Sequence, residues 1–173
     1  MPFPRSQLDV YILQMDPFKS IQHTMVQEMF QGWFEQNYID SIGNPTSSGI
    51  EYFGFGTFNK IALDLSEDVR LYANHQGGYR VFCPQEMKLM TATFSESVHQ
   101  WRSNGRIQSE FTINCHLCGM EHTFNELIGR PSFAFGMGAI RLINVEHSTS
   151  GSTFLLDLKA KMGPFNIVLK RVG

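Results

Sequence analysis

The stretch STFLLDLKAKMGPFNIVLKRV at residues 152–172 predicts a helix that is followed directly by a strand. Ser152 or Thr153 caps the helix, and Gly163-Pro164 ends it. Between these two signals, apolar residues recur at helical spacing, namely Phe154, Leu155, Leu158 and Met162. The remainder of the stretch forms the closing strand.

The same order of strand, helix and strand is predicted at both ends of the chain. At the beginning, residues 7–14 form a strand, and Asp16-Pro17 opens a helix that ends near Tyr38. The other predicted elements are a loop at 41–49, a long strand or hairpin at 50–65, a hairpin of 69–74 with 78–83, a helix within 86–103, a strand at 106–114, a short helical turn at 124–128 and a strand at 133–145. This pattern predicts an α+β fold, with residues 1–173 as one domain in which helices pack on one face of a mostly antiparallel sheet.

The composition favours a folded chain and argues against several functional classes. Of the 173 residues, 42% are apolar and 15 are Phe, which is enough for a core that needs no disulfide or metal merely to fold. The formal net charge is -2 and no basic run occurs, which disfavours a non-specific nucleic-acid binder. The N-terminus lacks a signal-peptide pattern, and no apolar run approaches the roughly 18 residues of a membrane span. We therefore expect a cytoplasmic protein without membrane contact.

Three cysteines lie in two short segments that each follow a predicted strand. Cys83 precedes Pro84, and Cys115 and Cys118 form a Cys-x-x-Cys pair that is followed by Gly119. An odd number of cysteines with such a pair fits a reducing compartment and metal binding better than a disulfide framework. Two turns of this kind, facing each other, direct thiolates and backbone N–H groups at one ion, and four ligands complete a tetrahedral site. The glycine after the second cysteine permits the positive φ that such a turn requires.

Residues 79–128 resemble a zinc ribbon with rubredoxin-type knuckles, in which Cys-Pro-x-Cys is followed by Cys-x-x-Cys-Gly. The resemblance implies a zinc-ribbon-like segment embedded in the domain and a structural Zn²⁺ held by all three cysteines. Glu86 stands where the fourth cysteine of that pattern belongs. The fourth ligand is then expected to be Glu86 or His122, ahead of His99 and His116. Two other interpretations stay open, namely a ribbon that lost its metal and keeps buried thiols, and a redox or disulfide role of the cysteines.

No linear catalytic motif accompanies the cysteines. The zinc deaminase pattern needs His-x-Glu and a proline before Cys-x-x-Cys, whereas Asn114 precedes Cys115 and no His-x-Glu occurs. The chain also lacks a P-loop and a Gly-x-Ser-x-Gly elbow. The two Gly-x-Gly pairs, at 54–56 and 136–138, are better explained as strand bulges than as a dinucleotide site. A bound zinc is therefore expected to be structural rather than catalytic.

We interpret the chain as a non-enzymatic protein-binding module of inhibitor, immunity or adaptor type that is stabilised by a structural zinc. An acidic turn of Asp64, Glu67 and Asp68 is the expected contact surface for a partner protein. An alternative is a nucleic-acid-associated zinc ribbon, in which Trp101 stacks on bases. Phosphate contacts would then come from nearby arginines, namely Arg102, Arg106 and Arg130. A second alternative is an enzyme whose site is assembled from scattered residues.

Overall fold

A computed structural model describes residues 7–76, 78–149 and 151–172. The strands in these ranges are β1 (Gln7–Gln14), β2 (Lys60–Tyr72), β3 (Arg80–Phe82), β4 (Thr112–Asn114), β5 (Glu121–Thr123), β6 (Ile128–Arg130), β7 (Ala134–Ile143) and β8 (Phe165–Val172). The α-helices are α1 (His23–Glu35), α2 (Ser47–Phe53), α3 (Thr91–Ser103) and α4 (Thr153–Met162). Short 3₁₀ helices span Gln108–Glu110 and Phe124–Glu126.

The central sheet has the strand order β2-β7-β1-β8, and each neighbouring pair is antiparallel. Val10 of β1 pairs with Leu142 of β7 on one side and with Leu169 of β8 on the other. Helices α1, α2 and α4 share one core with this sheet, which includes Ile12, Trp33, Phe53, Phe55, Ile61, Ile140, Leu142 and Phe154. The predicted α+β class is therefore confirmed, as are strand β1, helix α4 with its Ser152 cap, and strand β8.

Strands β2 and β7 form a long ribbon with a bulge in its middle. The register shifts between Leu65 and Arg70, so that residues 66–69 lie opposite a single residue of β7. Gly138 has a φ of +113°, and a Cβ at this position would lie 2.7 Å from the carbonyl oxygen of Asp64. Only glycine combines this backbone conformation with such a close approach. The bulge expected at the second Gly-x-Gly pair is confirmed.

The bulge lets the second half of the ribbon bend over the face of the sheet that the helices leave open. Tyr11 and Tyr72 pair with Arg141 and Ala134 of β7, which are seven residues apart. An unbent strand would separate these positions by about 23 Å. The rings of Tyr11 and Tyr72 nevertheless lie 5.2 Å apart. The bend closes a small core on this second face, formed by Tyr11, Leu13, Tyr72, Ala134, Ala139 and Val168.

The first helix begins later than its N-terminal signal predicted. Helix α1 begins at His23, whereas the prediction placed its first turn at Asp16-Pro17. The Asp16 carboxylate instead accepts the N–H of Phe18 at 3.0 Å and closes an isolated turn. The same side-chain chemistry serves turns and helix caps, so the sequence signal alone did not distinguish them.

Helix α2 occupies residues that were predicted as loop and strand. Thr46 caps it, because its hydroxyl accepts the N–H of Gly49 at 3.0 Å. Gly54 follows the helix in the left-handed conformation, so the first Gly-x-Gly pair is a helix C-cap rather than the predicted strand bulge. The prediction of a strand or hairpin over 50–65 is therefore wrong in its first part.

The hairpin predicted between residues 69–74 and 78–83 does not form. Strand β2 continues to Tyr72 and pairs with β7, whereas β3 pairs with β6. Of the strand predicted at 106–114, only β4 forms a paired strand, and Gln108–Glu110 is a 3₁₀ helix. Strands pair in the arrangement that buries their apolar faces together, so two strands that are close in sequence need not pair with each other.

A second core lies between α3, the short strands and the bent half of the ribbon. Its aromatic members are Phe94, Trp101, Phe111, Phe124, Phe133 and Phe135. The rings of Phe111 and Phe124, for example, meet edge to face with centroids 4.8 Å apart. Cys83 and Cys115 belong to this core and are 0% and 2% exposed. The core therefore fixes the backbone at both cysteine segments.

Candidate metal centre

The Cys115 turn connects β4 to β5. The N–H of Cys115 donates to the carbonyl oxygen of Met120 at 2.9 Å, and the N–H of Gly119 donates to the carbonyl oxygen of Cys115 at 2.8 Å. Gly119 has a φ of +74°, as expected for the glycine that follows the second cysteine. The turn is therefore specified locally, by its own hydrogen bonds and by one glycine.

The Cys83 turn has the same hydrogen-bond pattern. The N–H of Cys83 donates to the carbonyl oxygen of Lys88 at 3.0 Å, and the N–H of Met87 donates to the carbonyl oxygen of Cys83 at 2.8 Å. Met87 occupies the position of the glycine and has a φ of +53°. Glu86 occupies the position of the second cysteine. Both turns therefore present their first cysteine from the same backbone geometry.

The two turns and strand β5 bring three metal-ligating side chains together. One ligand atom from each of Cys83, Cys118 and His122 lies within 4.8 Å of the other two. The Sγ of Cys118 is 3.3 Å from the Nε2 of His122. Thiolate and imidazole ligands around one tetrahedral zinc lie about 3.6–3.8 Å from each other. These three groups could therefore hold a metal ion.

Cys115 lies beside this group, and Glu86 does not enter it. Cys115 is not one of the three residues of this group, but its thiol affects the pKa of both Cys83 and Cys118. His122 is 5% exposed and Cys118 is half-buried, whereas the Glu86 side chain is exposed. Of the two residues predicted as alternatives for the fourth ligand, His122 is the one that the fold places among the thiols.

Backbone hydrogen bonds favour the charged form of one thiol in particular. Burial by itself raises the pKa of Cys83, but the N–H groups of Glu86 and Gln85 donate to its sulfur. Together with the neighbouring thiols of Cys115 and Cys118, they bring its pKa down to about 7. The N–H of Met120 lowers the pKa of Cys118, but burial and the neighbouring thiols outweigh it, so the pKa is raised overall. Of these two thiols, Cys83 therefore loses its proton more readily and forms the thiolate, which is the form of cysteine that binds a metal.

Glu126 is a polar neighbour of this group that the cysteine pattern did not indicate. Its Oε2 lies 3.4 Å from Nδ1 of His122, on the side of the ring opposite to the thiols. Two sequence signals could have pointed to it, namely the four-residue spacing from His122 and the Thr123-x-x-Glu126 capping box. Metal-binding histidines commonly donate their second ring N–H to such a carboxylate.

The acidic residues predicted to contact a partner lie on a strand rather than on a turn. Asp64 is half-buried in regular pairing with Ala139 of β7. Glu67 and Asp68 are exposed and lie in the β2 bulge, which pushes them out of the ladder. Asp68 is 4.0 Å from Arg106. The predicted acidic turn is thus an acidic bulge, and part of its charge is already paired.

Trp101 cannot provide the base-stacking contact that the nucleic-acid alternative requires. Trp101 is 2% exposed, and its indole N–H donates to the carbonyl oxygen of Ile107 at 3.0 Å. A base cannot stack on a ring that is enclosed in the protein core. Arg102 and Arg130 are exposed, and Arg130 lies over the ring of Phe82 at 5.5 Å.

No protein-family model, curated protein or solved structure matches the chain. The resemblance to a zinc ribbon therefore stays a prediction from the residues 79–128. Among the helices in the described part of the chain, none has the length and apolar character needed to cross a bilayer.

Proposed function

We propose that the chain binds one Zn²⁺ through its three cysteines and His122, and that the ion stabilises a non-enzymatic protein-binding module. The convergence of Cys83, Cys118 and His122 within 4.8 Å carries the metal part of this proposal. Thiolates and an imidazole form the ligand set that Zn²⁺ prefers in proteins, and Cys₃His is a common structural set. Cys115, whose thiol affects the pKa of both Cys83 and Cys118, is proposed as the remaining ligand.

The arrangement supports a structural rather than a catalytic ion. A catalytic zinc keeps one position open for water or substrate, whereas four protein ligands close the coordination sphere. Cys83, Cys115 and His122 are all buried, so water has little access to the ion. The ion would connect two turns whose first cysteines are 32 residues apart in sequence.

The equivalent hydrogen bonds of the two cysteine turns support the ribbon-type interpretation. Both turns close antiparallel pairs, because β4 pairs with β5 and Phe82 forms a bridge with Leu89. Two hairpins with matching turns can each offer a cysteine to the same ion. On this interpretation, His122 on β5 has taken over the role of the cysteine that Glu86 replaces.

Protein binding is the role that surface and composition favour. Glu67 and Asp68 project from the bulge of β2, one of the two edge strands of the central sheet, and the whole chain carries a net charge of -2. Such a surface attracts a basic partner protein and repels phosphate backbones. The three free thiols fit a reducing, cytoplasmic location.

Metal content tests the metal part of the proposal directly. The native protein, purified without added metal, is analysed by inductively coupled plasma mass spectrometry beside Cys115→Ser, His122→Gln and Glu86→Gln. We expect one zinc per chain in the native protein and in Glu86→Gln, and a loss in the other two variants. Zinc retained in His122→Gln but lost in Glu86→Gln would show that the ligand set is wrong. No metal in the native protein would leave the buried thiols as a remnant site.

The partner class has its own test, because a metal site does not decide it. The zinc-loaded protein is applied to heparin at low salt. We expect it to flow through, since its acidic bulge repels the sulfated chain. Retention that is abolished by replacing Arg102 and Arg130 with Ala would favour the nucleic-acid alternative instead.

A further inference from the structure

We propose that Glu126 is the positioning residue of the metal centre, in that it orients His122 as the fourth ligand. This inference rests on the proposed zinc site and deepens it. The Glu126 carboxylate faces Nδ1 of His122 at 3.4 Å, while Nε2 of the same ring faces Cys118 at 3.3 Å. The imidazole thus lies between a carboxylate and the thiols, with one nitrogen directed at each.

The carboxylate is held in place by the backbone although it is itself exposed. Glu126 accepts the N–H of Thr123 at 3.2 Å, as one half of a capping box around the 3₁₀ helix Phe124–Glu126. Asn125 of the same helix exchanges two side-chain hydrogen bonds with the backbone of Phe135 in β7, at 2.8 and 3.2 Å. The helix is therefore attached to the central sheet, and the carboxylate is fixed relative to it.

The geometry determines which nitrogen is free to bind the ion. When Nδ1–H donates to Glu126, the lone pair of Nε2 points towards the thiols, which is the form that a metal requires. The contact also fixes the ring plane, because His122 is almost fully buried and its remaining polar atom has a partner. Removing such a carboxylate typically weakens metal binding about 10–100-fold.

The test uses Co²⁺ as a spectroscopic probe in the full chain. Glu126→Gln removes the charge but keeps an oxygen that can accept the Thr123 N–H, so the capping box is retained in part. Thr123→Val is the matched control, because it removes the other half of the box and leaves the carboxylate beside the imidazole. Affinities for Co²⁺ and Zn²⁺ are measured by competition with a chelator, and the visible absorption bands of bound Co²⁺ report the ligand geometry.

We expect Glu126→Gln to weaken the binding of both ions by about 10-fold and to shift the Co²⁺ bands. Thr123→Val should lower the thermal stability but leave affinity and spectrum unchanged. An unchanged affinity and spectrum in Glu126→Gln would overturn the inference, provided that His122→Gln abolishes tight binding. If His122→Gln also binds both ions normally, the proposed ligand set is itself refuted, so the two failures are distinguishable.

Discussion

Removal of the bound metal is expected to destabilise the chain by an amount that follows from its topology. The ion would link Cys83 to Cys115, which are 32 residues apart. A link across a loop of this length removes entropy from the unfolded chain that corresponds to about 4 kcal/mol at 25 °C on the chain-entropy model. For a domain of this size, that free energy corresponds to a fall in Tm of roughly 8–15 °C.

The assay compares zinc-loaded protein with apoprotein prepared by chelation under reducing conditions. Tm and urea midpoint are measured for both forms, and again for Cys83→Ser. Serine leaves the turn hydrogen bonds of residue 83 intact but removes the one thiolate that this turn supplies, so any remaining effect of the chelator cannot come from a link between the two turns. Amide hydrogen exchange at Cys83 and Cys115 locates the change, because their N–H groups close the two turns.

Three outcomes would overturn this prediction. One is a Tm difference between loaded protein and apoprotein of less than about 2 °C, which would mean that the ion does not constrain the loop. Another is an equal response of Cys83→Ser to the chelator. Faster exchange confined to residues far from both turns would likewise contradict the assignment of the site.

Three further experiments test how the scaffold is stabilised. Asp9→Ala removes a fully buried carboxylate that accepts a hydrogen bond from Nε of Arg141 at 2.9 Å. We expect this substitution to lower the free energy of unfolding, measured in urea, by about 3 kcal/mol. Adding Arg141→Ala to the Asp9→Ala protein should then lower it little further. Glu146 accepts hydrogen bonds from the backbone N–H and the hydroxyl of Thr57, and both lower the pKa of its carboxyl group in the folded protein. These hydrogen bonds therefore stabilise the fold fully at a pH above the pKa that Glu146 has in the unfolded chain. The stabilisation is lost as the pH falls through the lower pKa of the folded state. Glu146→Gln should therefore lower the Tm near neutral pH and flatten its decline in acid, and a parallel decline in both proteins would contradict this. Gly32→Ala should stabilise helix α1 by about 0.5–1 kcal/mol, because nothing lies within 4 Å of the new Cβ; a lower urea midpoint would show that the helix packs differently.

The local elements that were predicted correctly have their signals within a few residues of one another. Helix α4 has a Ser152 hydroxyl that accepts the N–H of Leu155, and its apolar residues recur on one side. The Cys115 turn is specified by Gly119 and by hydrogen bonds between near neighbours. Such features depend on short-range sterics and hydrogen bonding, which a single sequence displays.

The elements that were predicted wrongly are those whose short-range sequence signals are compatible with more than one local structure. Asp16 caps a turn instead of a helix, and the Ser/Thr-rich segment before Gly49 caps a helix instead of forming a loop. The same side-chain oxygens serve both purposes, so the outcome depends on what the following residues can pack against. For α2, Tyr52 and Phe53 pack into the core beneath α4, which stabilises a helix of only seven residues.

Local sequence patterns were enough to predict the fold class, the terminal strands, helix α4 and the two turns that carry the three cysteines. They did not predict that β2 pairs with β7, that Trp101 is enclosed, or that His122 rather than Glu86 lies among the thiols. These features depend on contacts between residues that are far apart along the chain. Pairing β2 with β7 and joining the Cys83 turn to the Cys115 turn require contacts between residues 32 to 83 positions apart. Their formation depends on the total apolar surface that one arrangement buries, which no local pattern encodes.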